Sequence, residues 1–305
     1  MYDLIIIGGG PAGTSAGVYA SRKQLKTLFI TDDWGGQSIV SPDIQNWIGT
    51  PSISGDQLAK DLENHLRTYA DGWVEIKDKT RVTNIEKIAD GHRVSFGDES
   101  ADGRAVLIAT GSKRRRLDVP GADELEHKGL TYCATCDGPI FAGQDVAVIG
   151  GGNAAFETAA QLLAYTKSVT LLNRSDSYKA DPVTVEKVLA HDNMTAILNA
   201  ATTKVLGEKF VSGLTYTDGD GTEQQLAVTG VFLEIGMIPN TDFAGNAVQL
   251  DDYGRIEIDP WTQQTATPGI WAAGDCTNIK YHQNNISAGD AVRALEDIYV
   301  HLKTK

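Results

Sequence analysis

Residues 4–13 read LIIIGGGPAG and residues 146–155 read VAVIGGGNAA, so one pattern occurs twice in the chain. Each copy is a short apolar run, a Gly-x-Gly-x-x-Gly/Ala turn and a helical pattern, and a second apolar run follows at 27–30 and at 169–172. In this context the turn indicates a dinucleotide site, because its glycines let a pyrophosphate approach the N-terminus of the helix. The sequence therefore predicts an α/β fold with two Rossmann-like nucleotide-binding domains.

The charged residue after each second apolar run distinguishes the two copies. It is Asp32 in the first copy and Arg174 in the second, each 24 positions after the first glycine of its turn. An acidic side chain there suits the 2'-hydroxyl of an adenosine ribose, whereas an arginine suits a 2'-phosphate. The first copy is thus predicted to bind FAD or NAD and the second to bind NADP(H). The alternative for both residues is a solvated loop charge.

Three cysteines are present, and two of them form the segment Cys133-Ala134-Thr135-Cys136. Their small, odd number argues against a secreted disulfide framework, and a Cys-x-x-Cys pair in a reducing compartment is a metal half-site or a redox dithiol. A structural zinc site would need two more ligands, and the sequence has no second close pair. The redox dithiol is therefore favoured, no metal site is predicted, and Cys276 is predicted to be a packing residue.

Composition narrows the class of protein further. The 305 residues carry 27 basic and 40 acidic side chains, for a formal net charge of -13. This balance argues against nucleic-acid binding and against an anionic membrane surface. The apolar runs are far shorter than the ~20 residues of a membrane span, and residues 1–3 lead directly into a strand. We expect a cytoplasmic protein.

The ordered motifs as a set resemble the low-molecular-weight thioredoxin reductases along nearly the whole chain. These motifs are the residues 8–13, Gly35-Gly36-Gln37, Asn46-Trp47-x-Gly49, Ala109-Thr110-Gly111, Cys133-Ala134-Thr135-Cys136-Asp137-Gly138, the residues 150–155, Gly236-x-x-Pro239-Asn240 and Ala273-Gly274-Asp275. The resemblance implies an FAD-binding domain at 1–116 and 246–305, split by an NAD(P)H-binding domain at 117–245 that carries the dithiol. It also implies a homodimer that reduces a thioredoxin-like protein or another protein disulfide.

The same resemblance, with the spacing of the two turns, assigns the site residues. Those assigned to FAD are Gly8, Gly10, Pro11, Ala12, Gly13, Asp32, Gly36, Gln37, Asn46, Ala109, Thr110, Gly111, Gly274, Asp275, His282 and Gln283. Those assigned to the nicotinamide cofactor are Gly150, Gly152, Asn153, Ala154, Arg174, Lys179 and Gly236. For the chemistry, the resemblance implies that Cys136 faces the flavin, that Cys133 attacks the substrate disulfide and that Asp137 is their acid–base partner.

The chain departs from the family pattern at two functional positions. The NADPH segment of the family reads His-Arg-Arg with a later Arg, whereas this chain has Asn173-Arg174-Ser175 with Lys179 in the last place. A lysine cannot make the bidentate contact to a phosphate that an arginine makes. We therefore expect the preference for NADPH to be weakened, relaxed toward NADH, or lost. Near the flavin, His282 replaces an arginine, and this titratable group either tunes the flavin potential or is a polar surface residue.

These observations favour a flavin-dependent disulfide reductase that passes electrons from NAD(P)H to a thioredoxin-like protein. An alternative is an enzyme of the same fold with other partners. Such an enzyme would serve a peroxiredoxin system, take electrons from a ferredoxin-like or other donor instead of NADPH, or oxidise dithiols. Another is a nucleotide-binding redox sensor that performs no turnover. The basic run Lys113-Arg114-Arg115-Arg116 is either a solvated loop or a docking surface for an acidic partner.

Overall fold

A computed structural model describes residues 1–41 and 43–304. Its strands, in chain order, are β1 (Tyr2–Gly9), β2 (Thr27–Trp34), β3 (Val74–Lys77), β4 (Val82–Ile88), β5 (Gly91–Phe96), β6 (Glu99–Ile108), β7 (Ser112–Arg114), β8 (Leu130–Thr131), β9 (Asp145–Ile149), β10 (Ser168–Leu172), β11 (Met194–Ile197), β12 (Ala201–Gly207), β13 (Val211–Thr217), β14 (Glu223–Leu226), β15 (Gly230–Leu233), β16 (Met237–Pro239) and β17 (Ile270–Ala272). Its α-helices are α1 (Pro11–Arg22), α2 (Gly55–Ala70), α3 (Ala134–Asp137), α4 (Asn153–Leu163), α5 (Pro182–Leu189) and α6 (Asn284–Thr304).

The chain divides into two compact units. Unit 1 comprises Met1–Arg114 and Met237–Lys305, and unit 2 comprises Arg115–Gly236. The expected first domain was 1–116 and 246–305, whereas the compact units place residues 115–116 in unit 2 and residues 237–245 in unit 1. The reason is a short antiparallel pair, since β16 aligns with β7 from Met237–Arg114 to Pro239–Ser112.

Unit 1 is built on a sheet in the order β3-β2-β1-β6-β5-β4, with β17 also paired to β6. The strands β3, β2, β1, β6 and β17 run parallel, while β4 and β5 form an antiparallel extension. Alternate residues of β1 enter two cores: Leu4 and Ile6 pack with residues of α1 and α6, while Ile5 and Ile7 pack with residues of β4 and β5. A sheet buried on both faces needs such continuous apolar strands.

Unit 2 has a parallel sheet in the order β11-β10-β9-β15-β8 and a separate antiparallel sheet, β12-β13-β14. Val146 and Val148 of β9 pack with residues of α4, while Ala147 and Ile149 face the core shared with β12 and β13. Both turns quoted from the sequence therefore follow the central strand of a doubly covered parallel sheet. The prediction of an α/β fold with two Rossmann-like domains is confirmed.

Among residues 1–41 and 43–304, no helix is long and apolar enough to cross a membrane.

Candidate functional site

The first glycine turn joins β1 to α1. Gly8 has φ +121°, and a Cβ there would overlap the carbonyl oxygen of Ala109, while a Cβ on Gly13 would overlap the carbonyl oxygen of Gly8. Gly10 caps α1 without a side-chain hydrogen bond, and its nearest neighbour in the Cβ direction is the Gly36 Cα, 3.9 Å from that Cβ. The turn therefore presents uncapped N–H groups beside the backbone of Gly36, and this cradle of glycine backbone fits a pyrophosphate.

Beside this turn, polar side chains from distant parts of unit 1 meet at Asp275. Gln37 Nε2 lies 3.4 Å from Asp275 Oδ2 and donates at 3.0 Å to Ser112 Oγ, and Ser287 Oγ donates at 3.2 Å to Asp275 Oδ1. His282 Nδ1 lies 3.4 Å from the same Oδ1 atom. Gln37 Oε1 and His282 Nδ1 are hidden and lack a hydrogen-bond partner within the described residues. Orphaned polar atoms at a glycine cradle fit a polar ligand such as FAD.

The remaining residues assigned to FAD lie around these groups or support them. Asn46 Nδ2 donates at 3.1 Å to Gln283 Oε1, and Asp32 is exposed at the end of β2. Thr110 has a structural role, because its hydroxyl donates at 2.7 Å to the Asn240 carbonyl and its own carbonyl accepts from Asn240 Nδ2 at 3.0 Å. Unit 1 thus joins Gln37 and His282 to Asp275 and Asn46 to Gln283, a donor set that fits FAD.

The second glycine turn joins β9 to α4 in unit 2. Gly150 has φ +149°, and a Cβ there would overlap the carbonyl oxygen of Glu234. A Cβ on Gly151 would overlap the side chain of Asn173, whereas a Cβ on Gly152 would meet nothing within 4 Å. Gly152 caps α4 without a side-chain bond, so this helix also offers free N–H groups, here suited to a pyridine nucleotide.

The loop after β10 carries the residues predicted to select the nucleotide. Asn173 is buried and donates Nδ2 to the carbonyls of Ser175 (3.2 Å) and Ser177 (2.8 Å), so its amide shapes the loop. The Lys179 N–H donates at 2.8 Å to the Gly151 carbonyl, which holds this lysine beside the glycine turn. Lys179 and Arg174 are exposed and have no ion pair among the described residues. Both cations remain available to an anionic ligand.

Asn153 and Gly236 are placed differently from simple ligand contacts. The Asn153 side-chain oxygen accepts at 2.7 Å from the Asp181 N–H, and Asp181 in turn caps α5. Gly236 has φ +101°, and its carbonyl accepts from the Arg115 N–H at 3.0 Å. Asn153 thus links the start of α4 to the start of α5. The hydrogen bond between Gly236 and Arg115 joins the last residue of unit 2 to its first.

The dithiol lies at the start of α3. Cys133 and Cys136 are joined by a disulfide, with their Cα atoms 5.3 Å apart, and both are partly exposed. Cys133 caps the helix, and the Cys136 N–H donates to Cys133 Sγ at 3.2 Å. This N–H would stabilise a thiolate on Cys133 once the disulfide opens. The geometry therefore suits Cys133 as the attacking sulfur.

The segment after the dithiol is fixed to the body of unit 2. The Thr131 hydroxyl donates to Asp137 Oδ2, and the Tyr165 hydroxyl donates to the Ala134 carbonyl at 3.4 Å. A Cβ on Gly138 would overlap that tyrosine hydroxyl, so a side chain at this position would displace the Tyr165 ring from its contact with Ala134. Burial raises the pKa of Tyr165, which keeps its hydroxyl neutral.

Cys276 is fully buried next to the Gly274 turn, with Sγ 3.5 Å from the Ala273 carbonyl. Burial raises its thiol pKa to about 11, so it is unreactive at neutral pH, as expected of a packing residue.

Several residues of these sites were not anticipated from the sequence. They are Ser112, Thr131, Tyr165, Asn173 in its loop-shaping role, and Ser287. Most of them act through a contact with a residue of another element, for which small polar residues give no local signal, whereas Asn173 bonds carbonyls within its own loop. A partial signal exists for Thr131, which lies two positions before the dithiol.

Known proteins resemble the chain over almost its full length. The chain is 36% identical over 299 residues to an NADH dehydrogenase of Bacillus subtilis and 38% identical over 295 residues to a component of the alkyl hydroperoxide reductase of Staphylococcus epidermidis. Each match covers 96% of this chain but 57% of the relative, so the chain spans little more than half the length of these proteins. A solved thioredoxin reductase from Streptococcus pyogenes matches with a TM-score of 0.90 at 34% identity, over 100% of this chain and 99% of that one.

The family model described as pyridine nucleotide-disulphide oxidoreductase matches residues 2–289. Its match spans both glycine turns, the Asp275 network and the Cys133–Cys136 disulfide. The chain therefore belongs to the pyridine nucleotide-disulphide oxidoreductase family and has the fold of its thioredoxin reductases.

Proposed function

We propose that the protein is a flavin-dependent disulfide reductase that moves electrons from NAD(P)H through FAD and the Cys133–Cys136 dithiol to a thioredoxin-like protein. The observation that carries this proposal is the disulfide with Asp137 beside it, in a unit that also offers an uncapped nucleotide turn. The FAD-type turn in unit 1 supplies the second site. The similarity to thioredoxin reductase structures supports the same assignment.

When bound, FAD would accept a hydride from the nicotinamide and deliver two electrons to a disulfide. The residues of this chain perform the thiol steps. Reduction opens the Cys133–Cys136 bond, and Asp137 gives a proton to the sulfur of its neighbour Cys136. The Cys133 thiolate, held by the Cys136 N–H, then attacks the partner disulfide and forms a mixed disulfide. Cys136 attacks Cys133 Sγ, which restores the disulfide and releases the reduced partner.

For the electron donor, we propose NADPH, with NADH as a second substrate. Arg174 and Lys179 offer two unpaired cations to a 2'-phosphate, and Asn173 adds no negative charge that would repel it. The exposed Asp176 and Asp181 in the same loop balance the two cations, which favours relaxed selection over strict selection.

Anaerobic mixing tests the donor. The flavin absorbance near 450 nm should bleach with stoichiometric NADPH and more slowly with NADH. A Cys133→Ser variant, which keeps both nucleotide turns, should bleach equally well and yet reduce no disulfide. If neither nicotinamide bleaches the flavin, the donor part of the proposal is wrong.

For the electron acceptor, the similarity to the alkyl hydroperoxide reductase component favours a second candidate, a peroxiredoxin system. Turnover of NADPH with a thioredoxin and, separately, with a peroxiredoxin distinguishes the two. The leading proposal requires faster turnover with thioredoxin, and inactivity with thioredoxin beside activity with peroxiredoxin would replace it with the second candidate. A redox sensor would turn over neither.

Three further predictions belong to this function. A homodimer is expected from the family resemblance and is tested by light scattering of the purified protein. A cytoplasmic location is expected because a dithiol cycle of this kind needs a reducing compartment.

The basic run Lys113–Arg116 is proposed to steer acidic partners toward the protein. Lys113, Arg115 and Arg116 are exposed, although Arg116 lies within 4 Å of Asp123 and Glu126. Charge steering would weaken as salt is added.

A further inference from the structure

Thr131 contacts the proposed acid–base residue from a rigid part of unit 2. It is the last residue of the short strand β8 and aligns with Phe232 in the parallel neighbour β15. Only 5% of Thr131 is exposed, and its hydroxyl donates to Asp137 Oδ2. A β-branched side chain on a paired strand has a restricted rotamer, so the direction of this donor is fixed.

Asp137 has no comparable support from its own segment. It is the residue before the 3-10 helix Gly138–Phe141, where an aspartate commonly accepts an N–H of the first turn, but it makes no side-chain cap bond. Within residues 1–41 and 43–304, the Thr131 hydroxyl is the only group seen to hydrogen-bond the Asp137 carboxylate. The direction of the carboxylate is therefore set by the strand and not by the helix that carries it.

We infer that Thr131 is a positioning residue for the dithiol cycle: its hydroxyl holds Asp137 so that the carboxylate exchanges a proton with Cys136. This inference rests on the proposed function and adds a residue to it. Proton transfer requires the acid and the sulfur to meet at hydrogen-bond distance, so a carboxylate free to rotate would be productive for a smaller fraction of the time.

The step affected is the resolution of the mixed disulfide. Cys136 transfers its proton to Asp137, and its thiolate attacks Cys133 Sγ. The bond between Cys133 and the partner sulfur breaks, and the partner leaves as a thiolate with the electron pair. The enzyme dithiol is oxidised to the Cys133–Cys136 disulfide. The departing thiolate takes the proton held by Asp137, the thiolate released first takes a proton from water, and the partner disulfide is thereby reduced to two thiols.

A reaction without nicotinamide or protein partner tests this inference. The flavin-loaded protein is reduced with dithiothreitol, desalted anaerobically and mixed with an equimolar amount of 5,5'-dithiobis(2-nitrobenzoate), whose two thiolates absorb at 412 nm. The first thiolate reports attack by Cys133, and the second reports resolution by Cys136. In Thr131→Val, which keeps the side-chain shape, the second phase should slow about tenfold while the first stays within twofold. Thr131→Ser should restore the second phase to within twofold of wild type.

A double-mutant cycle separates positioning from a general structural effect. Asp137→Asn should slow the second phase, and adding Thr131→Val to it should cause no further slowing, because the two residues act through one carboxylate. The pH dependence of the second phase should change in Thr131→Val and return in Thr131→Ser. If the valine variant does not fold, Thr131→Ala takes its place in the cycle.

Three results would overturn the inference: equal slowing of both phases, additive effects in the cycle, or no recovery with serine. A wild-type protein that releases no thiolate has a different meaning, because the dithiol chemistry of the proposed function would then be absent. The two failures are thus distinguishable.

Discussion

The two glycine turns of this protein have closely similar backbones and different surroundings. In both, the first glycine has a positive φ, and its Cα faces a backbone carbonyl: that of Ala109 in unit 1 and that of Glu234 in unit 2. In both, the third glycine caps a helix without a side-chain bond. The turns differ at their last small residue, Gly13 against Ala155, and in their neighbours, so we expect the shared part to bind phosphate and the neighbours to select the ligand.

The neighbours differ in charge and in construction. The turn of unit 1 lies beside a network centred on Asp275, which draws residues from the start, middle and end of the chain. The turn of unit 2 lies beside one local loop with two unpaired cations, Arg174 and Lys179. A resident cofactor requires many fixed contacts, whereas a ligand that enters and leaves on each cycle requires few. The difference between the units matches these two demands.

The largest expected effect on stability and flavin binding comes from the fourth glycine of the first turn. Gly13→Ala should cost on the order of 3 kcal/mol and reduce bound flavin at least tenfold, because the added Cβ would overlap the carbonyl oxygen of Gly8. Flavin content by absorbance and urea unfolding measure both effects. Gly289→Ala is the matched control, since a Cβ there meets nothing within 4 Å. Normal flavin content in Gly13→Ala would contradict the packing argument.

The second prediction concerns the loop of unit 2. Arg174→Ala should raise the KM for NADPH about tenfold, the magnitude of one charge-assisted bond to a phosphate, and leave the KM for NADH within twofold. Steady-state kinetics with each nucleotide measures the change. Lys187→Ala, another exposed cation in the same unit, should alter neither value. A parallel loss with NADH would place Arg174 on the pyrophosphate instead.

The third prediction uses a buried histidine found in unit 1. His92 is 2% exposed, and burial, with a smaller contribution from Lys87, lowers its pKa. The folded state then binds fewer protons than the unfolded state, so stability is complete above about pH 6.5 and falls as the pH drops below it. Lowering the pH from 7 to 5.5 should therefore reduce the free energy of unfolding.

Thermal unfolding followed by flavin release measures this pH dependence. His92→Leu removes the titrating group and should flatten the profile between pH 7 and pH 5.5, whereas His191→Gln on the surface of unit 2 should leave it unchanged. An unchanged slope in His92→Leu would show that other groups control the acid sensitivity.

The smallest effect is expected at the position in unit 2 that corresponds to Gly13. Ala155 occupies it, so unit 2 already tolerates the Cβ that unit 1 excludes. Ala155→Gly should destabilise unit 2 by about 1 kcal/mol or less, the helix cost of glycine, with little change in the KM for either nicotinamide. Urea unfolding and steady-state kinetics would detect the change, and a large loss of nucleotide affinity would mean that the two turns are less alike than their backbones.

Much of the fold was accessible from the sequence. The apolar runs at 4–7, 27–30, 146–149 and 169–172 lie within β1, β2, β9 and β10. Strong periodicity and glycine turns are local signals, so they can be recognised without knowledge of the tertiary structure. The boundary near 237 was missed because it depends on the pairing of β16 with β7, two three-residue strands that carry no signal of their own.

The candidate site was accessible only in part. Glycines and the Cys-x-x-Cys segment have steric or chemical requirements that a sequence displays directly. Hydrogen-bond partners such as Ser112 for Gln37 or Thr131 for Asp137 are set by the approach of a strand to a helical segment, which the sequence does not display. The sequence analysis noted Asn173 only as a departure from the family pattern, and in the structure its amide bonds two carbonyls of the loop that contains Arg174.

The pairing of β7 with β16 has a consequence for how the chain can be cut and rejoined. The chain passes from one unit to the other at the end of β7 and at the start of β16, and these two strands are paired. Within unit 2, the Arg115 N–H donates to the Gly236 carbonyl. The two ends of the insert are therefore neighbours, as are the two ends of the interrupted unit. A short linker could close unit 1 upon itself, and residues 115–236 form a cassette that can be exchanged between relatives without redesigning either sheet.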